Sequence, residues 1–238
     1  MPNFSARSTE IEIMDDLLCA GEVVHQTLRE LEFINKWLGG NAVTITALEQ
    51  LLKDCPANGT ITIVDLGCGG GDMLRMIQRW TAEKAISVKL IGIDANPHII
   101  AFARKNLQDL PQIEFLSLDI FSDQFKNLRF DVVLGTLFYH HFTDEQLSAF
   151  FKNLRYQAKS GIIINDIHRH PLAYYSIKWL TTLFSRSSMV KFDAPLSVLR
   201  AFKKQEIVRI LKNAEIQDFR LQWKWAFRWR VIIPIGGQ

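Results

Sequence analysis

Val64-Asp65-Leu66-Gly67-Cys68-Gly69-Gly70-Gly71-Asp72 is the stretch that decides the fold, because it joins an apolar run to a segment of helical periodicity. Residues 61–64 predict a buried strand, and residues 73–80 carry apolar side chains at helical spacing. The glycines between them allow a tight turn and a close approach of the backbone to a ligand. The helix that follows directs free N–H groups at whatever binds there. The stretch therefore predicts a strand, a nucleotide-binding turn and a helix.

The glycine spacing separates two classes of cofactor that bind at such a turn. In the dinucleotide pattern G-x-G-x-x-G the third glycine would fall on Asp72, so that pattern fails. Asp65 lies two residues before Gly67, where a carboxylate can meet an ammonium group or a tightly held water. A glycine loop alone is also compatible with a plain turn, so its interpretation depends on the rest of the chain.

The length and composition indicate one α/β domain. At 238 residues and 48% hydrophobic, the chain is long enough for one core with an elaboration and short for two independent domains. It has no uncharged apolar run of about 18 residues and no signal-peptide pattern, so we expect a soluble, cytoplasmic protein. Cys19, Cys55 and Cys68 have no C-x-x-C spacing and no histidine at zinc-finger distance, which predicts reduced thiols.

The net charge of +3 is small but unevenly distributed. From residue 196 onward there are nine lysines and arginines and three acids, a surplus of six that leaves the rest of the chain at −3. A basic region combined with exposed aromatic residues is typical of nucleic-acid binding. The alternative is an ordinary solvated face, because these charges alternate with core-like residues.

Helical and strand patterns alternate along the chain. Residues 9–38 predict one or two helices that Gly39-Gly40 ends, and residues 43–52 predict a short helix before a turn at Pro56-Ala57-Asn58-Gly59. The elements predicted after the first strand are strand 88–94, helix 97–107, strand 113–118, strand 130–135, helix 144–156 and strand 161–166. Strands joined by crossover helices predict a mostly parallel, doubly wound sheet whose ligands bind beyond the carboxyl ends of the strands.

The C-terminal third departs from this alternation. Residues 168–184 are aromatic and helical in period, and residues 185–195 predict an irregular connection. Residues 203–214 are again helical, and residues 216–223 and 225–233 predict a closing pair of strands. In the last strand apolar residues alternate with Ala226, Arg228 and Arg230, the period-two pattern of a strand.

Two further acids end the next two predicted strands. Asp94 follows Gly67 by 27 residues, and a carboxylate at this strand end is well placed to bind both hydroxyls of a ribose. The alternative for Asp94 is a helix cap. Asp119 and Ile120 can accept the adenine amino group and pack on its ring, with a plain turn aspartate as the alternative.

The D-L-G-C-G-G-G string and the ordered acids resemble the class I S-adenosylmethionine-dependent methyltransferases. The resemblance covers residues 61–166 and, more loosely, the whole chain. It implies a Rossmann-like sheet of seven strands with an antiparallel last strand, S-adenosyl-L-methionine as cofactor and S-adenosyl-L-homocysteine as product. The glycine loop would hold the methionyl part. The cofactor-binding residues predicted in this way are Asp65, Gly67, Cys68, Gly69, Gly71, Asp94, Ala95, Asn96, Asp119, Ile120 and Gly135.

The segment after the fourth strand, Gly135-Thr136-Leu137-Phe138-Tyr139-His140-His141-Phe142, bears on the methyl acceptor. It lacks the Asn/Asp-Pro-Pro-Tyr/Phe motif of methyltransferases that act on nucleic-acid bases or protein amides. It is similar to the loop of small-molecule methyltransferases, including those of ubiquinone and menaquinone biosynthesis, and residues 193–214 share that similarity. The implied organisation is one domain with an N-terminal helical cap (1–56), a cofactor-binding core (57–167), a substrate lid (168–202) and a closing helix and strand pair (203–238).

Methyl transfer from a sulfonium is an in-line displacement, so the protein mainly aligns the reactants and excludes water. For a hydroxyl acceptor, a histidine base raises the nucleophilicity of the oxygen. We predict His140, which follows the fourth strand, and His168, which follows the fifth, as candidate bases, with Asp166 after the fifth strand as a further catalytic residue. A structural or pocket-lining role is the alternative for each histidine. A metal-dependent route needs carboxylates after both strands, and Gly135 supplies none, so we predict no metal.

The N-terminal helix and the partners are less defined by the sequence. Arg29 or Asn35 could reach the carboxylate of the cofactor, although surface or capping roles fit these two residues equally well. Three functions stay open: a small-molecule methyltransferase directed at an oxygen or carbon atom of an aromatic or apolar acceptor, an RNA methyltransferase, and a catalytically silent cofactor-binding protein. We expect a monomer or homodimer without integral membrane contact, and a small molecule rather than nucleic acid as partner.

Overall fold

The sheet of this chain has seven strands, as a computed structural model that describes residues 2–53 and 59–236 shows. The strands are β1 (Ile61–Leu66), β2 (Val88–Asp94), β3 (Glu114–Ser117), β4 (Phe130–Thr136), β5 (Ala158–Ile167), β6 (Arg220–Lys224) and β7 (Arg228–Pro234). Their order is β3-β2-β1-β4-β5-β7-β6, with β7 antiparallel to both of its neighbours and the first five strands parallel. The predicted doubly wound fold with an antiparallel last strand is confirmed.

Nine α-helices lie within the described ranges. They are α1 (Glu22–Trp37), α2 (Gly40–Leu52), α3 (Asp72–Glu83), α4 (Pro97–Asn106), α5 (Asp123–Lys126), α6 (Asp144–Leu154), α7 (Pro171–Phe184), α8 (Ser188–Arg200) and α9 (Lys204–Asn213). Short 3-10 turns occupy Ile13–Asp15 and Tyr139–His141. In the described part of the chain, no helix combines the length and apolarity needed to cross a bilayer.

The central strands β1 and β4 are apolar and buried in their middle because both faces of the sheet are covered there. Successive residues of a strand point to opposite faces, so Ile63 and Val64 enter different halves of the core, as do Val132 and Val133. All four side chains are fully buried. This continuous burial is typical of parallel strands between two helix layers.

The C-terminal part differs from its sequence prediction in one element. An irregular connection was predicted over residues 185–195, but only residues 185–187 connect α7 to α8, and residues 188–195 form the first part of α8. Ser187 caps α8 by accepting a hydrogen bond from the N–H of Val190, and the buried Val190 and Leu196 anchor the helix. Pro195 lies inside α8, so tertiary packing has outweighed the local preference of proline.

Several predicted boundaries also move. Of the predicted helical region 9–38, only α1 is an α-helix, and residues 2–21 lie mostly as an irregular segment, hereafter the N-terminal segment. α2 begins at Gly40, directly after Gly39 in the left-handed conformation. The predicted strands 216–223 and 225–233 shorten to β6 and β7. The turn predicted at 56–59 falls largely on residues 54–58, which lie outside the described residues.

Candidate functional site

A cavity of about 1400 Å³ lies beyond the carboxyl ends of the parallel strands, where a doubly wound sheet binds its ligands. Its floor is formed by the glycine loop and by the residues that follow β2, β3 and β4. Its roof is formed by the N-terminal segment, α1, α7 and α8. The strands therefore bring residues from four separate loops to one site, and helices from both ends of the chain cover it.

The glycine loop needs its glycines for backbone conformation and for space. Gly67, Gly69 and Gly71 have positive φ angles of 65°, 51° and 80°, which favour glycine. A Cβ at position 67 would lie 2.2 Å from the ring of Phe138. The predicted turn is thus present, and Gly67 and Gly69 line the cavity. Gly71 lies just behind them as the N-cap of α3.

Two buried carboxylates flank the loop. Burial raises the pKa of Asp65 well above its usual range, and the nearby Asp72 and Asp94 raise it further. Within the described residues, Oδ1 of Asp65 has no hydrogen-bond partner. Burial also raises the pKa of Asp72 to about 6. Both residues line the cavity, so this end fits a cationic ligand that would neutralise them. The sequence interpretation missed Asp72, which it considered only as a failed glycine position.

The two acids predicted for ribose and adenine also reach the cavity wall. Oδ1 of Asp94 accepts a hydrogen bond from the N–H of Asn96 at 3.0 Å, and burial raises its pKa. Asp119 is exposed and accepts a hydrogen bond from the N–H of Phe121 at 2.9 Å, which makes a local turn. Ala95, Asp119 and Ile120 line the cavity beside Asp94. The assignments of Asp94 to the ribose and of Asp119 with Ile120 to the adenine stay predictions. All three residues line the cavity.

Other predicted cofactor residues have structural roles. Asn96 caps α4 by accepting from the N–H of His98 at 2.8 Å, and its Nδ2 donates to the carbonyl of Cys19. Gly135 makes room for the ring of Tyr139, 2.7 Å from where a Cβ would be. Arg29 is exposed on α1 and pairs with Glu22. These positions lie behind or away from the cavity wall, so direct contact with a cofactor is not supported for them.

His140 and Asp166 form a buried pair under the roof. The His140 Nδ1 lies 2.7 Å from Oδ1 of Asp166, and the His140 backbone N–H donates to the other carboxylate oxygen at 3.2 Å. The two side chains are 2% and 0% exposed. Burial acts to raise the pKa of Asp166, but the charge and hydrogen bond of His140 outweigh it and lower that pKa. Asp166 is therefore a carboxylate that fixes the orientation of the imidazole.

Glu12 on the N-terminal segment faces the other side of His140. Its Oε1 lies 3.7 Å from His140 Nε2, and its Oε2 accepts a hydrogen bond from Ser197 at 2.8 Å. Burial raises the pKa of Glu12 to about 7, despite the opposing effects of His141, Ser197 and Arg200. The sequence interpretation did not find this residue, because its contact with His140 spans 128 positions and no local pattern marks it.

A second histidine ties the N-terminal segment to the loop after β4. His141 Nδ1 lies 2.6 Å from Oδ1 of Asp15, and Arg200 pairs with the same carboxylate. Arg200 also donates to the carbonyl of His141 at 2.6 Å, and Arg7 donates to the carbonyl of His140 at 2.8 Å. The roof over His140 is thus held by two arginines.

Three of these side chains could also bind a cation. Glu12, His140 and His141 each offer one donor atom, and the three atoms lie within 4.8 Å of one another. The prediction that no metal binds considered only carboxylates after the strands and did not include Glu12. It stays a prediction, and we derive no step through a metal.

The other predicted base, His168, has a different environment. It follows β5, is half-buried and packs against Trp229, with 4.8 Å between the ring centroids. Its backbone N–H donates to the carbonyl of Phe227. His168 lies outside the wall of the cavity that His140 lines. The structure therefore brings His140 and Asp166 together and leaves His168 apart.

Comparisons with known proteins agree with this architecture. The sequence model of a methyltransferase domain matches residues 63–161. Residues 63–161 are therefore similar to a methyltransferase domain, and they lie within a sheet that has the strand arrangement of the class I fold. The prediction of that class is confirmed, and the likeness to the ubiquinone and menaquinone subgroup stays a prediction.

Individual relatives match only parts of the chain or only its fold. Trans-aconitate 2-methyltransferase of Azoarcus sp. (strain BH72) is 32% identical over 75 residues, which are 31% of this chain and 26% of the relative. Human N-acetylserotonin methyltransferase with bound S-adenosylmethionine superposes with a TM-score of 0.63 at 18% identity, over 90% of this chain and 56% of that one. The plantazolicin methyltransferase with bound S-adenosylhomocysteine gives 0.58 at 19%, over 85% and 84%. The chain thus spans about a quarter of the length of the first relative.

Proposed function

We propose that this protein transfers the methyl group of S-adenosylmethionine to an oxygen or carbon atom of a small, apolar or aromatic acceptor. One observation carries the proposal: His140, which the buried Asp166 orients, lines the same cavity as the glycine loop and its two buried acids, Asp65 and Asp72. The domain family and the superposed proteins support the methyl donor. The names of the relatives refer to trans-aconitate, N-acetylserotonin and plantazolicin, which supports a small-molecule acceptor.

The residues at the glycine loop suit the cofactor. When bound, S-adenosylmethionine supplies an electrophilic methyl group on a positively charged sulfur. Asp65 and Asp72 provide buried negative charge for the cationic part, and the left-handed loop lets the backbone approach closely. Asp94 offers carboxylate oxygens at the end of β2, where hydroxyls of a ribose can donate to them.

His140 is the residue that we assign as the base. Because the Asp166 carboxylate accepts the hydrogen from Nδ1, Nε2 carries a lone pair that no hydrogen bond from the described residues occupies, and Oε1 of Glu12 lies 3.7 Å from it. We assign to this lone pair the proton of the acceptor, with Glu12 giving way when the acceptor binds. The charge of Asp166 then stabilises the imidazolium that forms. The apolar walls exclude water, so the deprotonated acceptor meets the methyl group rather than solvent. The residues of the site thus align the acceptor with the methyl group, remove its proton and exclude water. No covalent intermediate on the protein is needed.

Calorimetry with S-adenosylhomocysteine tests the cofactor half of the proposal. The native protein should bind it, and Asp94→Ala should weaken binding by about 10- to 100-fold, because hydrogen bonds to a charged group are lost. The control variant Asp218→Ala removes an exposed acid that does not line the cavity. It should bind S-adenosylhomocysteine with the affinity of the native protein. No binding to the native protein would refute the proposal. Equal affinity in the Asp94 variant would refute only the ribose assignment.

Turnover tests the base. With an acceptor that the native protein methylates, His140→Asn should lower the rate of S-adenosylhomocysteine formation by about 10²- to 10⁴-fold, with cofactor affinity unchanged. The matched control is His98→Asn, an exposed histidine on α4. Asp166→Asn should also slow the reaction, because the imidazole loses its orienting carboxylate. A larger loss in His168→Asn than in His140→Asn would reverse the assignment.

A further inference from the structure

Arg228 carries a buried charge that the proposed chemistry does not use. It is the first residue of β7, is 5% exposed and lines the cavity. Its Nη2 donates to Oδ1 of Asn35 at 3.0 Å. Among the described residues, nothing accepts a hydrogen bond from its Nη1, although that atom is buried. A guanidinium with one neutral partner and an unused donor fits an anion that arrives with a ligand.

A second buried arginine on the same strand, Arg230, has hydrogen-bond partners within the described residues for both of its terminal nitrogens, unlike Arg228. Arg230 is also buried, at 3% exposure, and its side chain points to the same face of β7. Its Nη1 donates to Thr46 and its Nη2 to Gln222, at 3.0 and 2.5 Å. Arg230 lies outside the cavity wall. Both terminal nitrogens of Arg230, which lies outside the cavity wall, therefore have hydrogen-bond partners. Nη1 of Arg228, which lines the cavity, has none among the described residues.

The surroundings of Arg228 are arranged around its charge. Gly40 begins α2 beside it, and a Cβ there would lie 3.1 Å from Nη2 of Arg228 and 2.0 Å from Oδ1 of Asn35. Burial lowers the pKa of Arg228 to about 10, and the charge of Asp166 acts in the opposite direction. The guanidinium remains positive at neutral pH. Asp166 is already paired with His140, so it is not free to serve as the counter-ion.

The position of Arg228 favours the methyl acceptor over the cofactor as the source of this anion. β7 lies three strands from β1, which carries the glycine loop, so the two strands are roughly 14 Å apart. Arg228 pairs with Ile167 at the end of β5, next to Asp166. Its neighbours on the cavity wall include Phe227 and Ala173 of α7. The guanidinium therefore lies beside the base and the lid, while its partner Asn35 is linked through Asn41 to Asp72 at the glycine loop.

We propose that Arg228 binds a carboxylate or similar anionic group of the methyl acceptor, so that the acceptor is an apolar or aromatic acid. The proposal rests on the proposed function, because it assigns the cavity to an acceptor. It adds a specificity-determining residue to a site in which His140 acts on the reacting atom. The apolar walls hold the body of the acceptor, and Arg228 fixes which end of it points away from His140.

Binding of two matched probes to the protein saturated with S-adenosylhomocysteine tests this inference. The probes are 4-hydroxybenzoate and its neutral isostere 4-hydroxybenzamide, titrated by calorimetry. The native protein should bind the carboxylate at least roughly tenfold more tightly than the amide, the fold-change expected for one charge-assisted hydrogen bond. Arg228→Met should abolish that preference, and Arg228→Lys should retain part of it. Arg230→Met is the matched control and should keep the native preference.

The remaining outcomes each count against the inference. Equal binding of the two probes by the native protein, or no binding of the carboxylate at millimolar concentration, overturns it without any variant. If Arg228→Met weakens S-adenosylhomocysteine itself tenfold while Arg230→Met does not, the anion is the cofactor's carboxylate and the inference is wrong. If the native protein fails to bind S-adenosylhomocysteine, the proposed function fails. In that case the two probes are titrated into the protein without S-adenosylhomocysteine, and their relative affinities still decide whether Arg228 selects a carboxylate.

Discussion

At the scale of single residues, the electrostatics of the site depend on buried carboxyl groups, some of which have no cation among the described residues that fully offsets their burial. Burial raises the pKa of Glu12 against the opposing effects of its neighbours, and it raises the pKa of Asp65 together with the nearby Asp72 and Asp94. Asp166 has a lowered pKa because His140 more than offsets its burial. The surroundings therefore raise the pKa of some buried carboxyl groups of the site and lower the pKa of another. Such separated pKa values are typical of sites that bind cations and move protons.

Glu12 makes the stability of the protein depend on pH. Its folded-state pKa of about 7 lies above the ordinary value of 4.5, so the folded protein holds this proton more tightly. The resulting stabilisation is complete below the unfolded pKa and is lost as the pH rises through 7. Between about pH 5 and about pH 8, the free energy of unfolding of the native protein should fall by about 3 kcal/mol relative to Glu12→Gln.

Urea unfolding at both pH values measures this difference. Asp65 and Asp72 titrate in the same direction but are present in both proteins, so their contributions cancel in the comparison. Glu10→Gln changes an exposed acid of the same segment and should follow the native pH dependence. A constant difference between the native protein and Glu12→Gln across the pH range would show that Glu12 titrates normally.

At the scale of elements, α8 supplies several of the contacts that hold the N-terminal segment in the site. Arg200, at the end of α8, pairs with Asp15, and its Nε lies 3.7 Å from Oε1 of Glu12. Asp193 of the same helix accepts the backbone N–H groups of Ile13 and Met14 at 2.8 and 3.1 Å. The segment has little regular structure of its own, so these contacts determine its position.

Arg200→Met should therefore release the N-terminal segment. The variant removes the arginine beside Asp15 and Glu12 and leaves Asp15 paired with His141, so we expect the free energy of unfolding to fall by about 2 to 3 kcal/mol. Hydrogen exchange followed by mass spectrometry should show faster exchange in residues 2–21. Arg186→Met, an exposed arginine just before α8, should leave both quantities unchanged. If residues 2–21 exchange as slowly in the Arg200 variant as in the native protein, contacts other than those of Arg200 hold the N-terminal segment in place.

The elements that the sequence predicted well are those whose pattern is local. The strands from β1 to β5 and the glycine loop follow from apolar runs and positive-φ turns, which depend on neighbouring residues only. α8 could not be predicted, because Pro195 argues against a helix and the packing that overrides it comes from α7. Glu12 and Arg228 were missed as site residues for the same reason: their partners are far away in sequence.

At the scale of the whole molecule, the structure changes the meaning of the basic C-terminal region. Arg200, Arg228 and Arg230 are buried and 7% exposed or less, and Arg209 pairs with Asp144. Several charges that suggested a nucleic-acid surface are thus internal or neutralised. Of the basic residues that remain at the surface, Lys204 and Lys212 lie on α9, where an RNA-binding face would place its phosphate contacts.

The protein should therefore show no RNA binding that weakens steeply with salt. Neutralising several phosphates would give a logarithmic affinity that falls linearly with the logarithm of salt concentration, with a slope set by the number of contacts. Filter binding or fluorescence anisotropy with a structured RNA, from low to physiological salt, measures that slope, and we expect weak binding at low salt only. The double variant Lys204→Glu and Lys212→Glu should behave as the native protein does. Tight native binding that this variant abolishes would instead make α9 an RNA surface and return the RNA alternative to consideration.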